Sequence, residues 1–114
     1  MREPARDKGR LKDMLEATDN LEEFLTGIEY SSFVSDKLRY YAVLKNIEIV
    51  GEAAYMLSTS FKESHPELPW DKMIKMRHVL VHGYASVLPE ILWQTAIQEI
   101  PELKPILEAI YMAL

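Results

Sequence analysis

The chain contains no cysteine, so disulfides and thiolate metal sites are excluded. No apolar run approaches the ~20 residues that a membrane-spanning helix needs. The basic residues near its start, Arg2 and Arg6, have no apolar stretch behind them, which argues against a secretory signal. These absences lead to the expectation of a cytoplasmic protein that does not touch a membrane. There is no internal repeat or low-complexity tract, and no period-two stretch bounded by turns competes as a strand. Histidine is scarce: the 114 residues hold three, and two of them stand four apart, His78 and His82.

What is present is an ordinary globular composition. Hydrophobic residues make up 48% of the chain, too many for a disordered segment, and the length suits one core and a single domain over residues 1–114. The net charge of -5 argues against a general nucleic-acid coat, but the charge is unevenly spread. Residues 1–12 carry five basic and two acidic side chains, a local +3. Residues 71–82 carry three and one, a local +2 before any histidine is charged, which leaves -10 on the rest. Two basic segments on an acidic body can attract a polyanion locally; they can equally be solvated helix faces.

The periodicity is helical throughout. Leu11, Met14, Leu15, Thr18, Leu21, Leu25 and Ile28 recur at steps of three and four, one face of a helix over 7–25 with Gly27 near its end. Residues 31–36 read as a loop leading to a cap at Ser35 or Asp36. A long helix over 36–58, frayed out to 64, follows. The two prolines of His65-Pro66-Glu67-Leu68-Pro69 break it. A third helix spans 70–81 with Gly83 as its terminator. Pro89 opens a fourth, running to 100, and Pro101 and Pro105 start or kink a last one ending near 113. Among the methionines, Met14, Met56, Met73, Met76 and Met112 read as core filler. Trp70 and Trp93 read as core anchors, and His65 as a loop residue without function.

The long helix carries two stripes. Leu38, Tyr41, Ala42, Lys45, Ile49, Glu52, Ala53 and Met56 follow one; Tyr40, Val43, Leu44, Ile47, Val50, Ala54 and Leu57 follow another. A surface helix in a small monomer needs one apolar stripe. Two imply a central helix, a subunit interface, or both. The expected architecture is all-α, an up-and-down bundle of four to five helices that dimerises through this helix and its neighbours. Glu52, between Gly51 and Ala53, is placed either on a solvated edge or against a buried arginine.

The densest chemistry lies in Arg77-His78-Val79-Leu80-Val81-His82-Gly83-Tyr84. Arginine holds a phosphate and stabilises charge building on it; histidine moves protons near neutral pH. Together these are what phosphodiester cleavage requires. At ~100° per residue, His78 and His82 lie ~40° apart on one face. Arg77 and His82 lie ~140° apart, so an unbroken helix would not aim them together. Either the helix unwinds before Gly83, or a twofold axis brings a second copy of the segment close. Other readings stand beside this one. His78 and His82 have the spacing of a metal-binding pair on a helix, although the glutamate of a His-Glu-x-x-His site would fall at Val79. Arg77 can also bind phosphate without catalysis, in a nucleotide-binding or scaffold module, or sit in a plain ion pair.

Arg77-x4-His82-x-Tyr84 resembles the Arg-x4-His-x-Tyr signature of HepT-like toxins in the higher eukaryotes and prokaryotes nucleotide-binding (HEPN) superfamily. The segment Leu44-Lys45-Asn46-Ile47-Glu48-Ile49-Val50-Gly51-Glu52-Ala53-Ala54 is similar to that family's long-helix motif, and His65-Pro66-Glu67-Leu68-Pro69-Trp70 to its loop motif. Trp93 and Leu103-Lys104-Pro105 stand where the family has a tryptophan and a closing helix. The likeness covers nearly the whole chain, with four motifs in order. Two departures stand out. His78 replaces the usual asparagine or aspartate after the arginine. Ala85-Ser86-Val87-Leu88-Pro89 replaces an aromatic, a glycine and a capping aspartate, so that Ser86 or Glu90 is expected to cap in place of Leu88.

The resemblance implies the toxin of a type VII toxin–antitoxin pair, a homodimeric, metal-independent endoribonuclease needing no cofactor. Its substrate would be RNA, tRNA or mRNA, because a ribose 2′-hydroxyl is the attacking group. Arg77 would hold the phosphate, His82 would transfer protons and His78 would orient the phosphate or tune its neighbours. The resemblance also makes Tyr84 the acceptor of AMP from a minimal nucleotidyltransferase antitoxin of the MntA type. A non-catalytic HEPN nucleotide-binding, RNA-binding or scaffold module is the alternative.

Overall fold

A computed structural model describes residues 4–114, with only the backbone described at Tyr84. Seven α-helices are found among these residues: α1 (Asp7–Leu25), α2 (Tyr30–Ser35), α3 (Lys37–Met56), α4 (Thr59–Ser64), α5 (Trp70–Gly83), α6 (Pro89–Gln94) and α7 (Ile100–Ala113). No strand occurs among them. The fold is thus all-α, as the periodicity requires. The bundle is formed by α1, α3, α5 and α7: α3 packs along α1 on one side and α5 on the other, and α7 closes against α1.

Each long helix buries the face its spacing marks out. On α1, Leu11, Met14, Ala17, Thr18, Leu21 and Leu25 are buried, and Thr18 donates its hydroxyl proton to the Leu15 carbonyl at 2.8 Å. Past the end of α1, Gly27 takes φ +73°, a left-handed turn that glycine adopts without steric cost. On α3, Val43, Leu44, Ile47, Val50 and Ala54 are buried, as is Leu57 just beyond it. The second stripe is therefore core. The first is divided: Ala53 is buried, while Leu38 and Tyr41 are exposed. Met14 and Met73 are core residues, but Met112, expected there, is 84% exposed at the end of α7. Trp70 is buried, and its indole N–H donates to the His65 carbonyl at 2.9 Å. Trp93 is half-buried and packs its ring against Tyr30 and Phe33.

Several boundaries differ from the sequence reading, each for a local reason. The expected loop at 31–36 contains α2, whose Phe33 is fully buried. Asp36 then caps α3 by accepting from the Arg39 backbone N–H. The long helix does not fray out to 64. It stops at Met56, and Ser58 starts α4 by accepting from the Phe61 N–H at 3.2 Å. That stop is held from a distance, because the buried Asp7 carboxylate accepts from the Ser58 N–H at 2.8 Å and from its hydroxyl at 2.6 Å. Between α6 and α7 the chain does not leave the helix. A π-turn, Thr95–Glu99, joins them, with the Ile100 N–H reaching the Thr95 carbonyl. Proline 101 has no N–H and cannot follow an ordinary α-turn without loss, and a π-turn is one way a helix absorbs such a site.

Neither residue expected to cap α6 does so. Leu88 stands at that position with no side-chain hydrogen bond. The Ser86 hydroxyl instead donates to the Gly83 carbonyl at 2.7 Å, closing the end of α5. Glu90 accepts from the Tyr30 hydroxyl at 3.3 Å. Among the described residues, no helix is long and apolar enough to cross a membrane.

Candidate active site

The arginine of the octapeptide is seated by α3. Helix α5 approaches α3 so closely at Gly51 that a Cβ there would lie 2.5 Å from the Arg77 Cβ and 2.7 Å from the Met73 carbonyl oxygen. Only a hydrogen fits. One residue further, Glu52 accepts from Arg77 Nε at 2.5 Å. One turn further still, the Tyr55 ring lies under the guanidinium, with Cζ 4.8 Å from the ring centroid. Gly51, Glu52 and Tyr55 thus grip the Arg77 backbone, its Nε edge and one face of its guanidinium. Its side chain is 17% exposed, whereas that of Glu52 is 47% exposed. The pair lies at the surface edge of the core, where an ion pair contributes little to stability but can fix orientation.

The two histidines continue outward from Arg77. Arg77 Nη1 lies 3.1 Å from His78 Nδ1. A guanidinium only donates, so Nδ1 is the acceptor and the His78 proton sits on Nε2. The His78 ring meets the Tyr55 ring edge-on at 5.8 Å and stacks with the His82 ring at 6.2 Å between centroids. Both histidines are exposed. Helix α5 continues unbroken through Gly83, so the first of the two expected routes, unwinding before the glycine, does not occur. Arg77 and His82 remain on different sides of the cylinder, and His78 bridges them. What the structure brings together is a row: Glu52, Arg77, His78, His82.

Of the residues marked out in the sequence, Arg77, His78 and His82 share this surface, and Glu52 takes the second of its two readings by holding the arginine. Tyr84 opens the 3₁₀ turn Tyr84–Ser86 after α5; its side chain lies outside the described residues. His65 stands apart, half-buried on the Phe61 ring and 3.8 Å from Glu67. The sequence reading did not assign Gly51 or Tyr55 to the site. A signal existed for both. A glycine inside a helix costs ~1 kcal/mol relative to alanine, so it calls for a packing reason. Tyr55 lies three residues after Glu52, on the same helix face. Among the described residues, no group of three or more His, Cys, Asp or Glu gathers as a metal site would need.

This arrangement can bind a phosphate through the free edge of the Arg77 guanidinium, with two imidazoles beside it to accept or donate protons. Comparison with known proteins points the same way. The family model described as ribonuclease HepT-like matches residues 14–110. The chain is 41% identical over 97 residues to "Probable ribonuclease HepT" of Thermococcus cleftensis, covering 85% of this chain and 88% of that one. It is 33% identical over 103 residues to a candidate RNase of Methanocaldococcus jannaschii, covering 90% and 94%. It is 37% identical over 94 residues to a candidate RNase of Caldanaerobacter subterraneus subsp. tengcongensis, covering 82% and 84%. No solved structure matches the chain significantly. With the family model spanning most of its length and its arginine and histidines gathered on α5, the chain belongs to the ribonuclease HepT-like family of the HEPN superfamily.

Proposed function

We propose that the protein is a metal-independent endoribonuclease and the toxin of a HepT/MntA-type toxin–antitoxin pair. The observation that carries this reading is the seating of Arg77 by Glu52 and Tyr55 beside His78 and His82. In the proposed reaction a ribose 2′-oxygen attacks the adjacent phosphorus and the bond to the 5′-oxygen breaks. The products are a 2′,3′-cyclic phosphate and a 5′-hydroxyl. The 2′-hydroxyl proton passes to an imidazole, and an imidazole returns a proton to the departing 5′-oxygen; positioned proton transfer of this kind supplies about 10²–10⁴-fold in rate. Arg77 donates to the phosphate oxygens and stabilises the charge that grows there. His78, its Nδ1 engaged by Arg77, presents Nε2–H to the same phosphate.

Two His82 side chains would divide the acid and base roles in a homodimer. The large apolar side chains left exposed at Leu38, Val79 and Leu88 are consistent with a subunit contact around this end of α3 and α5. Tyr84, two residues beyond His82, is the proposed site of inactivation. Its phenol oxygen would attack the α-phosphorus of ATP on a nucleotidyltransferase antitoxin, releasing pyrophosphate and leaving an AMP ester. That ester places bulk and negative charge where the RNA phosphate must sit.

The test is cleavage of RNA in excess EDTA by wild type, Arg77→Ala and His82→Ala, each first checked for helicity by circular dichroism. Wild type should produce cyclic phosphate ends and leave a 2′-deoxy strand intact, and both variants should be inert. Wild type that leaves RNA intact, with no adduct on Tyr84 by intact mass, returns the protein to a non-catalytic binding module. Sedimentation reads the subunit number, and a monomer at micromolar concentration overturns the shared pocket.

A further inference from the structure

About one helical turn from the Glu52–Arg77 pair, α3 and α5 leave an open groove of ≈ 430 Å³ lined by Tyr41, Leu44, Glu48, Leu80 and Val81. We propose that this groove is a nucleobase subsite selective for guanine. The proposal rests on the ribonuclease reading and assigns part of that enzyme's substrate choice.

The groove has the parts a base needs. Its floor, Leu44 and Leu80, is apolar and buried. One wall is the Tyr41 ring, which is 53% exposed. That ring is braced from behind: Tyr40 meets it edge-on at 5.5 Å, Phe33 packs on Tyr40 at 5.1 Å, and Trp93 packs on Phe33 at 5.3 Å. An open aromatic face held by its neighbours is a stacking surface for a planar base.

Glu48 supplies selectivity. Its side chain is 23% exposed, and Lys45 Nζ lies 3.0 Å from its Oε2. The lysine offsets the carboxylate's charge against an incoming polyanion. A carboxylate only accepts, with about four lone-pair positions, so both oxygens retain capacity. Guanine alone presents two adjacent donors, N1–H and N2–H, on its Watson–Crick edge. Adenine, cytosine and uracil each place an acceptor beside their single donor, which would meet a carboxylate oxygen unfavourably. The register is also suitable. Glu48 stands four residues before Glu52 on α3, ~6 Å along the axis, and Glu52 holds Arg77. On α5, Val81 of the groove directly precedes His82. The groove thus lies about one helical turn from the pair that seats the arginine.

The test measures binding of 3′-GMP, 3′-IMP and 3′-AMP by calorimetry. Inosine differs from guanosine only in lacking the N2 amine. Wild type should prefer GMP to AMP by on the order of tenfold or more, with IMP between. Glu48→Gln should erase the preference. Tyr41→Ala should weaken all three about tenfold or more, and Tyr41→Phe should retain wild-type affinity. Equal affinities in wild type, or an intact preference in Glu48→Gln, overturn the subsite. So does a Tyr41→Ala variant that sediments as monomers where wild type forms dimers, since the ring is then a subunit contact. Nucleotide binding requires no cleavage, so the two readings fail separately. A protein that prefers GMP but cuts nothing loses the ribonuclease assignment alone, and one that cuts RNA without regard to guanine loses the subsite alone.

Discussion

Gly51 and Arg77 touch backbone to side-chain root, with no room for a methyl group between α3 and α5. The obstacle on the other side is the Met73 carbonyl at 2.7 Å, which belongs to the rigid α5 backbone and cannot swing away as a side-chain tip would. Gly51→Ala should therefore displace α5. Alanine favours the helix intrinsically by ~1 kcal/mol, but overpacking of a tight contact costs about 1–3 kcal/mol, and the overpacking should prevail. The expected outcome is a lower urea midpoint together with reduced RNA cleavage. A variant as stable and as active as wild type would show that the contact does not position the arginine.

Glu52 and Tyr55 should affect rate far more than stability. The Glu52–Arg77 pair is partly exposed, so its removal should cost no more than about 1 kcal/mol of folding. A small misplacement of a phosphate-binding group can nevertheless cost about 10²-fold in rate. Glu52→Ala should lower kcat by that order while leaving the thermal midpoint nearly unchanged, and Glu52→Gln, which still accepts from Nε, should lose less. Tyr55→Phe keeps the aromatic face and should retain activity, whereas Tyr55→Leu should not. Single-turnover cleavage assays rank the four variants, and a Tyr55→Leu enzyme as fast as Tyr55→Phe would remove the ring from the account.

Asp7 should behave in the opposite way. Its buried carboxylate accepts two hydrogen bonds from Ser58 across 51 residues of chain and pins the start of α1 to the start of α4. Asp7→Ala leaves the buried Ser58 N–H without a partner, a loss of about 1–3 kcal/mol. The urea midpoint should fall accordingly, with activity per folded molecule preserved. An unchanged midpoint would mean that Ser58 finds another acceptor.

Alkaline pH should loosen the bundle. The Lys104 ammonium donates to Asp19 and Glu22, each at 2.8 Å, and these hydrogen bonds hold its pKa above the ordinary 10.5. Burial, with the Tyr41 and Glu90 charges behind it, raises Tyr40 above 10.0; burial and Glu90 likewise raise Tyr30. All three groups keep their protons longer in the folded state than in the unfolded chain. Their contribution is complete below about pH 10 and is lost as pH climbs through the raised values. The urea midpoint should hold from pH 7 to 9 and fall beyond 10, with a shallower fall in Lys104→Met. A midpoint flat up to pH 11 would contradict the sign.

Much of the site was legible because its chemistry is local. Arg77, His78 and His82 lie within six consecutive residues, and helical spacing alone puts both imidazoles on one face. Glu52 could be narrowed to two roles but not decided, because the partner of a side chain on one helix depends on how a second helix docks. Gly51 and Tyr55 went unassigned for the same reason. Met112 misled, since an apolar side chain at a helix end is buried only if something packs over it.

The chain by itself determined the helical class, the main bundle helices and the candidate site residues on α5, because backbone periodicity, caps and side-chain chemistry are properties of neighbouring residues. Tertiary packing alone decided that Asp7 would stop α3 through Ser58, that Gly51 would admit α5, and that Glu52 and Tyr55 would aim Arg77. Those outcomes rest on distances between residues far apart in the chain, which no local pattern specifies until the helices are in contact.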